Sequence, residues 1–336
     1  MSFNRLETDD FVVSADSITA GLFTDSRTAT LSTFFTSSTQ QNASSGDYYL
    51  NVFSDAANAQ LEFAIAYGNK EGSGSVRFDS AVEGKSPSST IYGQYRNLVL
   101  GDENADFSFG GVTASDFYAI SIDRNRYKES LFPGSLTLEL SGSDGKPVLS
   151  LTDNSQVVTT VQFNDAGRVF QLVSGSAGTV FTGVNSNGYS AGQGSYGFFL
   201  PDIATLLLNP LAISESAGIE TTAVTSSNYT NYRTLFNAIS GSGAANFVLN
   251  SSETITSDFI FVRPRSSQFN YSENPSFISG STGEVIYDSF VNNPQTYITT
   301  VGLYNDNSEL LAVAKLSKPL KKDFTKEALI RVKLDF

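Results

Sequence analysis

From Leu136 to Asp202 the chain breaks into short segments rich in β-branched, aromatic and aliphatic residues: LTLELSGSDGKPVLSLTD, VVTTVQFN, DAGRVFQLVSGS and GSYGFFLPD. Turn signals such as Ser143-Asp144-Gly145 and Asp165-Ala166-Gly167 punctuate them. Short strands separated by such turns at roughly ten-residue spacing favour an antiparallel sandwich or barrel, because hairpin connections join strands that pair antiparallel. This cadence constrains the fold more than any single motif. The fold expected is mainly β with a few short helices (α+β), built from antiparallel β-sandwich domains.

Elsewhere the same period-two reading applies. In AQLEFAIAYG, Leu61, Phe63, Ile65 and Tyr67 share one face, which predicts a strand. FVVSA, DYYLNVF, DFYAISID, DFIFVRPR and GEVIYDSF read as further strands. Helical spacing is expected in three places. STIYGQYRNLVLG sets Ile91, Tyr95, Leu98 and Val99 on one stripe behind a serine cap at Ser89, RNRYKESLFPGS forms a short helix halted at Pro133-Gly134, and NYTNYRTLFNAIS presents Tyr229, Tyr232, Leu235, Phe236 and Ile239 on one face. The end reads as a meander of TYITTVGLY, ELLAVAKL and EALIRVKLDF. Three regions are expected: 1–130, β-rich with two short helices; 131–215, an antiparallel β-sandwich; and 216–336, a C-terminal domain ending in that three-strand meander.

Composition closes off much chemistry. The 336 residues contain no Cys, no His and no Trp. Disulfides, zinc–thiolate sites and thiol nucleophiles need Cys, and imidazole proton shuttles and the usual hydrolase triads need His. GYSAG at Gly188–Gly192 therefore matches the nucleophile-elbow pattern without a base to serve Ser190. GKS at Gly84–Ser86 lacks the earlier glycine of a phosphate loop, Asp79 standing in its place. GDENAD and YNDNSE gather oxygen ligands, yet neither has the spacing of a calcium-binding helix–loop–helix. No enzymatic activity, cofactor or metal is expected.

With 34 acidic and 21 basic residues the net charge is −13, which repels phosphate and excludes free nucleic acid as a partner. The start, MSFNRLETDDFVV, has no secretory pattern, and the longest apolar runs, such as LLAVA, fall far short of a membrane span, so no membrane insertion is expected. Synthesis in a cytoplasm is the expected setting.

Against this acidic background the tail from Lys315 to Phe336 holds seven basic residues and three acids, a net of +4. Its last strand alternates strictly: Ile330, Val332, Leu334 and Phe336 on one face, Arg331, Lys333 and Asp335 on the other. Such a strand closes a sheet with its apolar side and offers the basic side to an acidic neighbour. Lys and Pro at a sheet edge also suppress stray pairing. The interface residues expected are Lys318, Lys321, Lys322, Lys326, Arg331 and Lys333, with the loop Gly72–Gly84 as a second contact.

Four phrases, STIYGQYRNLVLGDENADFSFGG, FYAISIDRNRYKESLFPGSLTLELSG, GRVFQLVSGSAGT and SYGFFLPDIATLLLNP, resemble virion structural proteins of contractile-tailed bacteriophages, particularly the T-even-like phages of cyanobacteria. The resemblance extends over residues 10–336. Length and the closing strand–turn–strand pattern are most similar to a baseplate wedge subunit. That resemblance implies β-rich domains, a homodimer within a larger assembly, other tail and baseplate proteins as partners, and a location in the virion tail after assembly in the host cytoplasm. A neck, collar or capsid-surface protein, or a carbohydrate-binding or depolymerising tail protein, is the alternative.

Overall fold

The computed structural model describes residues 4–22, 35–37 (backbone only), 49–53, 60–75, 86–143, 145–181, 192–222, 231–240, 247–272 and 274–335. The protein is mainly β: among the described residues 45% lie in strands and 16% are helical, with four α-helices, and the sheets are antiparallel. It divides into two compact units: Ile18–Glu253, and Met1–Ser17 together with Thr254–Phe336. The breaks expected after 130 and 215 do not coincide with this division, because one sheet draws strands from residues 35–248.

In the larger unit that twelve-stranded sheet runs, in spatial order, Phe247–Val248, Thr137–Leu140, Leu149–Asp153, Gly167–Ser176, Gly197–Leu200, Thr205–Leu208, Asp116–Ile122, Leu61–Asn69, Tyr49–Phe53, Phe35–Ser37. Two short strands, Gln162–Asn164 and Thr179–Val180, attach to Gly167–Ser176. Alternation in the central strand feeds both faces: Tyr118, Ile120 and Ile122 enter one core, Phe117 and Ala119 the other. The first core also takes Ala212, Ile213 and Ala217 of a helix at Pro210–Ala217 (α2) and Tyr232, Leu235 and Ile239 of a helix at Asn231–Ser240 (α3). Helix α3 packs against both Leu61–Asn69 and Thr137–Leu140, which lie far apart in the strand order. Phe63 and Phe247 meet edge to face at 5.2 Å, so the sheet curls around this core until its halves face each other. The second core is an aromatic knot beneath the helix Pro87–Leu100 (α1), where Phe107–Phe117 and Phe109–Phe198 centroids lie 4.9 and 4.8 Å apart. Each such pair adds about 0.5–1.5 kcal/mol beyond the area it buries.

Local detail corrects several expectations. Helix α1 starts earlier than its apolar stripe indicated. Ser86, not Ser89, is the N-cap, Pro87 follows at the first helical position, and Ser89 completes a reciprocal cap by accepting from the Ser86 amide. The RNRYKESLFPGS helix is reduced to one 3₁₀ turn, Arg124–Arg126, capped by Asp123, after which Ser130–Leu131 pairs with Ser251–Ser252 as strand. Pro133 drives the residue before it toward extended backbone, which opposes a helix there. Only Gln162–Asn164 of VVTTVQFN is strand. In GEVIYDSF a lone bridge, Ile278 to Val285, precedes a short helix at Asp288–Asn292. The strand Thr205–Leu208 and helix α2, joined by Asn209 as cap and Pro210, were not anticipated.

The smaller unit contains a hairpin, Thr296–Tyr304 with Leu310–Lys322, and a sheet in which Ile330–Asp335 pairs with Asn250–Val262, Ile260 opposite Val332. The expected three-strand meander is therefore not formed: the last strand leaves the hairpin and joins another sheet. Its connection, residues 323–329, is longer than the two to five residues of ordinary hairpin loops and instead spans two packed layers. Inward faces follow the period-two pattern, with Ile260, Leu303 and Val332 buried and Val301, Ala312, Ala314, Ile330 and Leu334 packed around them. Phe336 lies outside the described residues.

Candidate interaction surface

The two units bury apolar surface very unequally. In the smaller unit only Ile260, Leu303 and Val332 are buried apolar residues; every other buried apolar side chain among the described residues belongs to Ile18–Glu253. Large apolar side chains stand exposed instead: Phe11, Val12 and Val13 in the N-terminal strand Phe11–Gly21, Tyr297, Leu311 and Val313 on the hairpin, Phe324 and Leu329 in the connection after it. Within this unit an open groove of about 1230 Å³ runs past Leu6, Val262, Val301 and Ile330, with Tyr271, Tyr297 and Tyr304 along its lining. Large apolar side chains left exposed in this number within one small unit are the material of an interaction surface.

The six basic residues expected at an interface do not share one environment. Lys318 and Lys321 are exposed on the hairpin strand and Lys326 is exposed in the connection. Arg331 and Lys333 are exposed on the last strand and straddle the Phe259 ring, at 5.4 and 5.9 Å from its centroid. Lys333 also pairs with Asp335 at 2.9 Å, and Asp335 accepts from the Ser257 hydroxyl at 2.6 Å. Those contacts, the serine hydrogen bond first, hold the Asp335 carboxyl below the usual range.

Lys322 is the correction. Its side chain is fully buried, and Nζ donates to Ser266 O at 2.9 Å, Asn270 Oδ1 at 2.9 Å and Asp323 O at 3.0 Å. It ties the segment around residues 266–270 to the hairpin end and is unavailable to a partner. Parity carried this signal. Ala312, Ala314, Leu316, Leu320 and Lys322 occupy even positions and are the covered ones, with Lys318, at a register shift in the hairpin, the exposed exception, whereas Lys321 is exposed. The second contact expected, Gly72–Gly84, lies mostly outside the described residues; Gly72 through Ser75 lead toward α1, where Ser86 Oγ donates to Gly72 O at 2.6 Å.

The oxygen-rich stretches act as turns. Asp102 accepts the Asn104 amide at 2.8 Å, and Asn305 Oδ1 accepts the amides of Asn307 and Glu309 at 3.0 and 2.8 Å. Among the described residues no group of three or more acidic side chains is placed to hold a metal ion. Ser190 and Lys85, from the two motif matches, lie outside the described residues.

In the larger unit the ionisable groups serve the fold. Glu62 is buried beside Arg126 at 2.7 Å, and Arg126 also donates to Leu22 O. Asp202 accepts the backbone amide and side chain of Arg168; burial would raise its carboxyl, but Arg168 outweighs burial and holds it low. Asp153 is pushed up by burial, only partly offset by hydrogen bonds from Ser155 and Gly134. Burial likewise raises both members of the Tyr67–Asp116 pair, whose hydrogen bond is 2.7 Å. No helix among the described residues is long and apolar enough to cross a membrane. Comparison with protein-family models, with curated proteins and with solved structures finds no match to this chain.

Proposed function

We infer that the protein is a non-catalytic structural subunit that works by binding other protein subunits, and that the assembly is the baseplate of a contractile phage tail. The observation supporting the subunit reading is the smaller unit's uncovered apolar surface next to exposed lysines at 318, 321 and 326. A polypeptide segment of this size with three buried apolar residues gains its remaining burial from a partner. The tail and baseplate rest on the resemblance of the four phrases to virion proteins. Gold-labelled antibody against the chain, viewed on intact particles, tests the location. Label at the distal tail end is expected. Label at neck or head keeps the structural role and removes the baseplate, while absence from every particle overturns the virion reading.

A second reading, glycan binding at the host surface, is favoured by one observation: Tyr271 and Tyr297 line the groove with more than half their surface exposed. Such rings stack on sugar faces. Binding of the purified chain on a glycan array supports it, and a blank array returns the groove to the subunit reading.

A further inference from the structure

We propose that the free edge of the strand Thr296–Tyr304 is a strand-addition site, which takes one extended, proline-free segment of a different protein, basic at its N-terminal end and acidic at its C-terminal end. Among the described residues this strand belongs to a two-stranded sheet and pairs only with Leu310–Lys322. Its other edge therefore presents a row of backbone N–H and C=O groups with no partner strand. Every residue from Thr296 to Tyr304 borders the groove of the smaller unit. Successive side chains of a strand point to opposite faces, so a groove that meets both sets runs along the edge and not beneath one face. The other edge strands are guarded. Leu310–Lys322 carries Lys315, Lys318, Pro319 and Lys321, Ile330–Asp335 carries Arg331, Lys333 and Asp335, and Phe11–Gly21 carries Asp16. Charges and proline on an edge suppress pairing with other chains. Thr296–Tyr304 has neither a charged residue nor a proline.

The groove also defines the occupant. Leu6, Val262, Val301 and Ile330 give it an apolar stretch that suits one face of an alternating strand. At about 1230 Å³ it exceeds the roughly 300–1,000 Å³ of small-molecule pockets. Its charged lining residues are Arg5 and Asp306. Asp306 follows the Tyr304 end of the strand. Arg5 lies toward the other end, because the preceding Asn4 accepts from Gln268 Nε2 at 3.5 Å and the neighbouring Phe269 O accepts from Thr296 Oγ1 at 2.7 Å. A segment laid antiparallel, as in the rest of these sheets, therefore meets Asp306 with its N-terminal end and Arg5 with its C-terminal end. Asn4, Arg5 and Tyr271 supply lining that belongs to no strand, so the groove suits a lone strand. The same strand of a second copy arrives with its own lining attached. The proposal deepens the subunit reading and rests on it only in taking the partner to be protein.

The test uses the full-length chain and the synthetic peptide Lys-Thr-Val-Thr-Ile-Thr-Val-Thr-Asp, read by amide hydrogen exchange in proteolytic fragments covering residues 296–304. Alternate amides bond across an antiparallel pair, so about four amides of this strand are expected to slow at least about tenfold with about 1 mM peptide. Two further versions are N-methylated at alternate residues, one in each phase. One is expected to lose the protection and the other to keep it, since only one set of peptide amides faces the strand. The double variant R5E/D306K, whose substituted side chains are exposed, is expected to prefer the peptide with its end residues exchanged. Unchanged exchange with the unmodified peptide overturns the proposal. So does equal protection by both methylated versions, which assigns the groove to side-chain binding, and so does an unaltered preference in the double variant. A dimer of the chain that the peptide dissociates, seen by light scattering, overturns it in favour of a second copy. The peptides need no particle, so their failure removes the strand site alone, and failure of the antibody label on particles leaves it standing.

Discussion

An ammonium group has three hydrogens, and Lys322 finds three oxygens for them, each within 3.0 Å and none belonging to a carboxylate. The desolvation of that charge is compensated by charge-assisted hydrogen bonds alone. Replacing Lys322 by Met keeps the stem and leaves three acceptors unserved, so the smaller unit should lose about 1–3 kcal/mol. Urea unfolding followed by the fluorescence of its tyrosines measures this; an unchanged midpoint would contradict the role. The exposed Lys318 and Lys321 should show no such loss. Asp202 and Asp153 give a second residue-scale prediction, with opposite signs. Asp202 is held low when folded, so its contribution is full above the ordinary carboxylate range near 3.9 and fades as pH falls through the depressed range. Asp153 is raised, so its ionisation penalises the folded state at neutral pH and acidification relieves it. The cost of Asp202→Asn, at most about 1 kcal/mol for a pair this exposed, should hold from pH 7 to pH 4 and shrink only below that, while that of Asp153→Asn should already grow as pH falls from 7 to 4. Parallel trends in the two variants would refute the assignment.

Among the elements, the strand Gly197–Leu200 depends on one glycine. Gly197 has φ +137°, and a Cβ there would stand 1.8 Å from the Leu207 carbonyl oxygen in the neighbouring strand. No side-chain rotation relieves a clash with backbone. Gly197→Ala should therefore abolish the larger unit's cooperative unfolding transition, whereas Gly93→Ala, in open space on α1, should leave it intact or raise it by a few tenths of a kcal/mol. Calorimetry distinguishes the two. Elements with strong alternation were legible in the sequence: Leu61–Asn69, Asp116–Ile122, Leu149–Asp153, Gly167–Ser176 and Ile330–Asp335 all lie where the pattern put them. Others escaped it for physical reasons. Thr205–Leu208 is buried at every position and follows its threonine with three leucines, so it carries no alternation to read. The misassigned helix after Asp123 has apolar residues at helical spacing, but its Leu131 finds a partner more than a hundred residues away, information no local window contains. The basic tail showed the same limit: its alternation is real, yet five of its expected contacts point outward and Lys322 inward.

For the whole molecule, unequal burial predicts unequal stability. The larger unit has two extensive cores; the smaller has three buried apolar side chains and its exposed strands. Unfolding should therefore proceed in two steps, the smaller unit first. Thermal scans read this directly, and a single transition would contradict it. Sequence pattern alone does not foresee this division, because alternation marks which face of a strand is apolar and says nothing of whether anything covers it.

The strand Phe11–Gly21 hydrogen-bonds to Asn250–Val262, so its pairing partner leaves the ribosome more than two hundred residues after it. At roughly 5–20 residues per second, the interval between the two is on the order of ten to fifty seconds. Throughout it Phe11, Val12 and Val13, which stay exposed even in the folded chain, have no strand to pair with. The gene's own order thus leaves this segment without its partner strand for most of the chain's synthesis.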